Sequence, residues 1–319
     1  MSEILRVEHL KKFFDVPAGT LHAVDDVSFT IQEGQTLGVV GESGCGKSTL
    51  GRTVLKLIEP TSGKIFFEGR DITDISKHEN RELRKKMQII FQDPFSSLNP
   101  RFCVSDLIAD PLKTFGMYGK KELEERVLEI MDLVGLSRRY AYSYPHELDG
   151  GRRQRIGIGR ALALDPKFIV CDEPVSALDV SIQAQILNLL QDLQDKRKLT
   201  YIFVTHDLSV VKHISTDIMV MYIGVMVEKC PAKELFAKPL HPYTKGLLSA
   251  IPVPNIHHEQ KRVQLQGELS SPIDPAEECR FVKRCPYATD ICRCKQPTYE
   301  EVTPGHFVSC HNVRAINGL

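Results

Sequence analysis

TLGVVGESGCGKSTL, residues 36–50, carries the strongest signal in the chain. It opens with an apolar run, Leu37–Val40, which is expected of a buried parallel strand. The run continues into GESGCGKS (Gly41–Ser48), which fits the pattern GxxxxGK[ST]. Glycines in such a loop let the backbone turn its N–H groups around a phosphate, and Lys47 can reach the β- and γ-phosphates of a nucleotide. The segment therefore predicts a phosphate-binding loop between a strand and a helix.

The same loop defines the expected nucleotide contacts. The hydroxyl of Ser48 suits Mg²⁺, and the helix that follows points its positive end at the anion. A glycine-rich turn that fits the pattern by accident is the alternative, and the strand before it and the helix after it make that alternative weaker. The residues expected to contact ATP in this loop are Gly41, Ser43, Gly44, Cys45, Gly46, Lys47, Ser48 and Thr49.

Two further strands end in polar residues. KFIVCDEP contains the apolar run Phe168–Cys171, followed by Asp172, which we expect to hold Mg²⁺, and Glu173, which we expect to polarise the attacking water. TYIFVTHD ends near His206, which can hydrogen-bond a γ-phosphate. Taken alone, two solvated acids and a capping histidine would explain both patterns, and the phosphate loop favours the catalytic interpretation.

Composition limits the partners. The 319 residues include 41 basic and 41 acidic side chains, so no overall basic field is available for nucleic acid. The start, MSEILRVEHLKKFF, lacks the pattern of a signal peptide, and no apolar run approaches the roughly 20 residues that span a bilayer. We expect a soluble, cytoplasmic protein that needs a membrane-spanning partner if it works at a membrane.

Six elements, in this order and spacing, resemble the ATP-binding-cassette (ABC) family of transport ATPases over roughly residues 4–235. They are the phosphate loop, IIFQDP with Gln92, Leu148–Arg152, the pair Asp172-Glu173, SALD and His206. The resemblance implies an α/β P-loop core with a parallel-dominated sheet. It assigns catalysis to Glu173, His206 and Gln92, and Mg²⁺ to Ser48, Gln92 and Asp172. The D-loop of the dimer corresponds to Ser176, Ala177, Leu178 and Asp179.

The resemblance also implies a dimer in which two cassettes close head to tail. Each ATP then lies between the phosphate loop of one chain and the signature of the other, and Gln92 links the Mg²⁺ and water site to the membrane partner. An aromatic residue near the N-terminus stacks on adenine; Phe14 is the candidate and Phe13 its rival, with an ordinary core phenylalanine as the alternative. The signature residues here are Leu148, Asp149, Gly150, Gly151 and Arg152.

The signature departs from the family pattern at two positions. Asp149 replaces a serine that caps the following helix and faces the γ-phosphate, and Arg152 replaces a glutamine. Asp149 can cap the helix equally well, but its carboxylate would repel the phosphate. Either Arg152 compensates and the site stays active, or the site completed by this signature is weak while the other site, in a heterodimer, hydrolyses ATP.

Residues 93–164 show helical rather than strand patterns. KELEERVLEIMDLVGL places apolar residues on one helical face, and the helix is expected to end at Gly135. The charged run KHENRELRKK, earlier in the chain, predicts a solvated helix face. We expect a helical subdomain inserted into the domain 1–235, with residues 94–112 receiving the membrane partner.

The pattern changes after residue 235, and we expect an irregular C-terminal extension at 236–319. LHPYTKGLLSAIPVP resembles a segment that follows the cassette in oligopeptide and dipeptide importers. The cysteine spacing that follows resembles the same subgroup, where it implies a [4Fe–4S] cluster. Physics alone does not choose iron over zinc for four thiolates, and an unmetallated site stays open. The resemblance leaves Cys294 spare and assigns as ligands Cys279, Cys285, Cys292 and Cys310.

The leading hypothesis is the ATPase subunit of a di- or oligopeptide importer, using ATP and Mg²⁺ on the cytoplasmic side of the cell membrane. It would be peripheral, paired with a second ATPase in a heterodimer, docked on two permease subunits and served by an extracytoplasmic binding protein. A soluble ABC ATPase of translation or DNA repair is the alternative, but it predicts tandem cassettes or a long coiled coil. A cysteine-based redox sensor would leave the six ATPase elements unexplained.

Overall fold

The structure, a computed structural model, describes residues 2–251, 267 and 271–319. Its chain divides into unit 1, Met1–Asp74 with Phe203–Leu319, and unit 2, Ile75–Ile202. The boundary falls inside the strand Thr200–Val204. The C-terminal residues that follow the predicted boundary at 235 thus belong to the same unit as the phosphate loop, while the functional boundary itself stays a prediction.

Strands dominate the first part of the chain, and helices dominate its middle. The strands are β1 (Glu3–Val16), β2 (Gly19–Gln32), β3 (Thr36–Val40), β4 (Ser62–Phe67), β5 (Arg70–Asp71), β6 (Met87–Ile90), β7 (Phe168–Asp172), β8 (Thr200–Val204), β9 (Asp217–Tyr222), β10 (Val225–Pro231), β11 (Tyr299–Thr303) and β12 (His306–Ser309). The helices are α1 (Lys47–Val54), α2 (Lys77–Lys86), α3 (Pro94–Ser97), α4 (Val104–Phe115), α5 (Lys120–Leu133), α6 (Gly150–Leu162), α7 (Val180–Arg197), α8 (Leu208–Ile214), α9 (Ala232–Ala237), α10 (Pro242–Ser249), α11 (Asp290–Cys294) and α12 (Val313–Asn317). Short 3₁₀ helices lie at Arg138–Tyr140, Pro145–Glu147 and Val282–Arg284.

Unit 1 contains an antiparallel sheet and a mixed sheet. The antiparallel one has the order β2-β1-β4-β5. In the mixed one, β3 and β9 pair in parallel with Val39 opposite Met219, and β10, β12 and β11 extend it in antiparallel fashion. Every residue of β3 is buried, as its apolar run predicts. The phosphate loop therefore begins at the end of a buried strand of this sheet.

The C-terminal extension is more regular than the sequence suggests. Strand β12 pairs with β10, with Glu228 opposite Val308, and β11 pairs with β12, so a hairpin from the extension lengthens the mixed sheet of unit 1. The expectation of an irregular extension is wrong for this hairpin, because its strands of five and four residues are too short to show a clear alternation. Residues 252–254, at the end of the LHPYTKGLLSAIPVP segment, lie outside the described residues.

Unit 2 pairs strands β6 and β7 in parallel, with Ile89 opposite Val170. All regular elements between residues 93 and 164 are helices, as the periodicity predicts. A Cβ placed on Gly159 of α6 would lie 3.3 Å from Ile130 of α5 and 3.5 Å from Ile108 of α4, so the glycine lets the three helices pack closely. Helix α5 ends before Gly135, which has a φ of 65°.

The charged run of unit 2 forms helix α2. Ser76 and Glu79 make a reciprocal capping box at its start, and Leu83 is its buried residue. This confirms the predicted solvated helix.

Within the described part of the chain, no helix is both long and apolar enough to cross a membrane. The longest there is α7, with 18 residues, and it carries four charged side chains in its last six positions.

Candidate functional site

The phosphate loop takes a conformation that its glycines make possible. Gly41 has a φ of 152° and Gly46 a φ of 100°. A Cβ on Gly41 would lie 2.2 Å from the Met221 carbonyl oxygen, and one on Gly46 would lie 1.9 Å from the Ala23 carbonyl oxygen. Both positions thus require glycine for backbone conformation and for space. Of the other predicted contacts, Ser43 and Gly44 are exposed, Cys45 is buried, and Ser48 and Thr49 are half-buried.

Lys47 is buried inside this loop at the start of α1. Its Nζ donates to the Gly41 carbonyl at 2.8 Å and to the Glu42 carbonyl at 2.9 Å. Gly46, the N-cap of α1, has no side chain that could satisfy the first amides of the helix. The loop thus combines a held ammonium group with the positive end of a helix, an arrangement suited to phosphate.

The acidic pair lies at the end of β7. Asp172 is buried, and Glu173 has a φ of 48°, which is unusual for a residue with a side chain. The Glu173 carbonyl accepts the N–H of Ser176 at 3.3 Å and its hydroxyl at 3.1 Å. Gln92 Nε2 donates to Glu173 Oε2 at 2.8 Å, so unit 2 brings together two side chains that the resemblance assigns to the same reaction.

His206 is exposed just after β8. Its neighbour Thr205 donates its N–H to the Val39 carbonyl of β3 at 3.1 Å, and Asp207 caps α8 by accepting the Ser209 N–H at 2.7 Å. Asp207 and not His206 therefore caps α8. His206 itself follows β8 at the edge of unit 1 that also carries the phosphate loop.

The two substituted residues of the signature contact each other. Asp149 is the N-cap of α6: its Oδ1 accepts the Arg152 N–H at 2.8 Å, and its Oδ2 pairs with Arg152 Nη1. The Arg152 guanidinium also lies over the Tyr140 ring, 4.8 Å from its centroid. The Arg152 and Asp149 side chains are 42% and 56% exposed, so solvent weakens their attraction. The predicted cap is confirmed, and the two substitutions interact directly.

The signature glycines pack against one residue of the predicted D-loop and one residue of α7, a contact that sequence patterns do not reveal. A Cβ on Gly151 would lie 2.7 Å from Ile182, and one on Gly150 would lie 3.1 Å from Leu178. Asp179 caps α7 by accepting the Ile182 N–H at 3.1 Å. Within unit 2, the start of α6 is therefore in direct contact with the end of the D-loop and the first turn of α7.

The two adenine candidates have different neighbours. Phe13 stacks on His22, with ring centroids 3.9 Å apart, while Phe14 has the Lys12 ammonium 4.7 Å from its centroid. Phe13 thus already has a stacking partner within unit 1. Phe14 remains the candidate, as a prediction that the structure leaves untested.

The four predicted cysteine ligands lie within electrostatic reach of one another. The pKa of Cys279 is raised to about 12, chiefly by burial and to a smaller extent by the nearby thiols of Cys292, Cys310 and Cys285. Cys294 is exposed. However, no group of three or more His, Cys, Asp or Glu side chains among residues 2–251, 267 and 271–319 has the arrangement to hold a metal ion. The predicted metal site is therefore not supported, because the described side chains do not converge in an arrangement that holds a metal ion.

Sequence patterns miss the groups that hold the phosphate loop from outside. Arg284 Nη1 and Nη2 donate to the two carboxylate oxygens of Glu42 at 2.8 and 3.1 Å. The hydroxyl of Tyr243 accepts the Glu42 N–H at 2.9 Å. More than 200 residues separate these partners in the chain, so local patterns carry no signal for them.

Comparison with known proteins agrees with this site. The family described as ABC transporter matches residues 24–176, and that described as Oligopeptide/dipeptide transporter, C-terminal region, matches residues 227–292. The chain is 50% identical over 318 residues to the Oligopeptide transport ATP-binding protein AppF of Bacillus subtilis (strain 168), covering 97% of each chain. It is 49% identical over 310 residues to the Oligopeptide transport ATP-binding protein OppF of the same organism, covering 97% of this chain and 96% of the relative.

Solved structures give the same result at lower identity. The ATP-binding cassette MJ0796, in a dimeric post-hydrolysis state bound to ADP and Pi, has a TM-score of 0.66 and 28% identity over 72% of this chain and 99% of its own. The cbiO1 protein from Clostridium perfringens, part of the ABC transporter complex cbiONQ, has a TM-score of 0.66 and 29% identity over 75% of this chain and 92% of its own. With half its residues shared along almost the full length of a relative, this chain belongs to the ABC transporter family of ATP-binding proteins, in the group that carries the oligopeptide/dipeptide C-terminal region.

Proposed function

We propose that this chain is the ATP-hydrolysing subunit of an importer for di- or oligopeptides, which couples ATP binding and hydrolysis to movement of membrane permease subunits. The observation that carries the proposal is the phosphate loop, with Lys47 buried and held, in a chain that also has the C-terminal region of oligopeptide and dipeptide transporters. The names of the relatives AppF and OppF, both oligopeptide transport ATP-binding proteins, support the peptide class.

Each part of the proposed mechanism follows from the chemistry of named side chains. The loop amides and Lys47 bind the phosphates, and His206 hydrogen-bonds the γ-phosphate. Glu173, held by Gln92 at 2.8 Å, orients and polarises the attacking water. Mg²⁺ would neutralise developing charge on the phosphates, and the oxygens of Ser48, Gln92 and Asp172 are the hard ligands that this ion prefers.

We propose a heterodimer with a second cassette, two permease subunits and an extracytoplasmic binding protein as the working assembly, with this chain on the cytoplasmic face of the membrane. The dimeric state of MJ0796 with ADP and Pi supports pairing of cassettes during hydrolysis. The altered signature favours a partner that is not identical, because a homodimer would carry Asp149 and Arg152 at both sites.

The test is reconstitution in proteoliposomes with the permease subunits that co-purify with this chain. ATPase activity in proteoliposomes should rise when the matching binding protein is added with a di- or oligopeptide, and Glu173→Gln should remove the rise. Stimulation by ribosomes or DNA, with no response to the loaded binding protein, would instead favour the soluble ABC ATPase.

The [4Fe–4S] cluster at Cys279, Cys285, Cys292 and Cys310 is kept as a proposal. Its support is the cysteine spacing, which resembles that of the oligopeptide and dipeptide importers, and the electrostatic proximity of the four thiols. The described side chains have no arrangement that would hold a single metal ion. This counts against zinc, whose four ligands bind one ion, more than against a cluster, in which each thiolate binds a different iron.

Iron and sulfide analysis after anaerobic purification tests this proposal. The cluster predicts both elements and a broad absorbance band near roughly 400 nm. It also predicts that Cys285→Ser loses the iron and that Cys294→Ser keeps it. Zinc without iron, or a metal-free protein, would refute the cluster.

A further inference from the structure

Glu42, the second residue of the phosphate loop, is held at three points. Its N–H donates to the Tyr243 hydroxyl at 2.9 Å, and its carbonyl accepts the Lys47 ammonium at 2.9 Å. Its carboxylate accepts two hydrogen bonds from the Arg284 guanidinium, at 2.8 and 3.1 Å. The same residue thus joins the phosphate-binding lysine to two side chains of the C-terminal region.

Those two side chains belong to a group of packed aromatic residues within unit 1. Tyr243 is fully buried and lies edge-on against Tyr222, with ring centroids 4.7 Å apart. Phe281 packs edge-on against Tyr222 at 5.2 Å, and the Arg284 side chain is only 10% exposed. A bidentate guanidinium anchored in this way fixes the direction of a carboxylate as well as its distance.

The charge of Glu42 makes this contact important for nucleotide binding. A carboxylate on a phosphate-binding loop repels the anion that the loop must accept, and repulsion is strong where water is partly excluded. Arg284 offsets that charge and holds the carboxylate against the C-terminal segment. Without it, Glu42 would be free to turn toward the bound phosphates.

We infer that Arg284 is a positioning residue of the ATP site: it holds Glu42 and, through the Glu42 carbonyl, the ammonium of Lys47. The C-terminal segment is then a structural part of the phosphate loop and not only an appendage of the cassette. This inference rests on the proposed ATP binding and adds to it a residue outside the ABC elements.

The experiment measures the Kd for Mg-ATP of the purified full-length chain, with the Tm recorded without nucleotide. Arg284→Gln should weaken ATP binding by about tenfold, because the Glu42 carboxylate then keeps its full charge beside the phosphate-binding loop. Lys283→Gln is the matched control, because it removes the same charge from an exposed neighbour. Arg284→Lys, which keeps the charge and loses the fork, should fall between Arg284→Gln and the wild type.

A rescue separates positioning from simple loss of structure. Adding Glu42→Gln to Arg284→Gln should recover most of the ATP affinity, because it removes the repelling charge, while the Tm of the double variant stays below that of the wild type. An unchanged Kd in Arg284→Gln, or no recovery in the double variant, would overturn the inference. If Arg284→Gln does not fold, the comparison of Arg284→Lys with its Glu42→Gln double variant decides in the same way. Failure of the wild type to bind ATP would instead refute the proposed function.

Discussion

Two helices of this chain begin beside glycines and differ in what their first amides face. Helix α1 follows Gly46 and has no acid in its first turn, whereas α6 follows Asp149, whose carboxylate accepts the amide of Arg152. A helix N-terminus favours negative charge, supplied either by a ligand or by the chain itself. Helix α1 is therefore arranged for an external anion, and α6 already has an internal one.

This difference affects the two ATP sites of a cassette dimer, because each site combines the phosphate loop before α1 of one chain with the signature at the start of α6 of the other. In the resembling family, the residue at 149 is a serine that faces the partner's ATP. Two unit charges 4 Å apart repel by about 4 kcal/mol at an effective dielectric of about 20. Arg152 offsets part of that, but the exposure of both side chains weakens the offset. We therefore favour the asymmetric heterodimer over full compensation.

The largest expected effect comes from disabling the α1 end. Lys47→Ala should weaken Mg-ATP binding by about a hundredfold, equivalent to about 3 kcal/mol, because it removes the charge that the loop carbonyls hold in place. Isothermal titration of the purified chain measures it, with the exposed Lys64→Ala as control. Equal affinity of Lys47→Ala and wild type would show that the loop is not the phosphate site.

A second large effect should reveal which of the two sites hydrolyses ATP. Glu173→Gln in this chain should lower the ATPase rate of the assembled transporter by about a hundredfold, because it removes the carboxylate that polarises water at the site completed by the partner's signature. The matching change in the partner should have little effect, since that site uses Asp149 and Arg152. Equal losses from both changes, or a fully active homodimer, would contradict the asymmetry.

Local chemistry explains which features the sequence predicts. The loop glycines, Lys47 and the Asp149 cap follow from backbone sterics and capping rules that act within a few residues. The Arg284–Glu42 pair and the packing of Gly151 on Ile182 depend on tertiary contacts, which leave no periodic trace. The β11–β12 hairpin escapes prediction because its strands are short. The cysteine spacing predicts proximity, but proximity alone does not make a metal site.

Restoring the family signature tests the α6 end directly. Asp149→Ser with Arg152→Gln should raise the ATPase rate of the heterodimer by about twofold, because one of two sites regains a neutral hydroxyl at the phosphate. In this background, the change of the partner's catalytic glutamate to glutamine should become costly. Arg152→Gln alone is the control and should leave the rate nearly unchanged, since the site that it weakens contributes little in the asymmetric heterodimer. No gain from the double change would favour the compensated site.

The smallest effect concerns the stability of α6, where the cap and the ion pair can be separated. Asp149→Ala removes both and should lower the free energy of unfolding by about 1 kcal/mol, the usual value of an N-cap. Arg152→Gln keeps the cap, whose backbone bond is 2.8 Å, and should lower it by less than about 0.5 kcal/mol. Urea unfolding of the purified chain at low and at about 0.5 M salt measures both changes, because screening acts on the pair and not on the cap. Asp149→Ser also keeps a cap and loses only the ion pair, so it should match Arg152→Gln and not Asp149→Ala. If Arg152→Gln were instead as destabilising as Asp149→Ala, the ion pair would be structurally essential, and Asp149 could not be restored to serine without loss of the helix start.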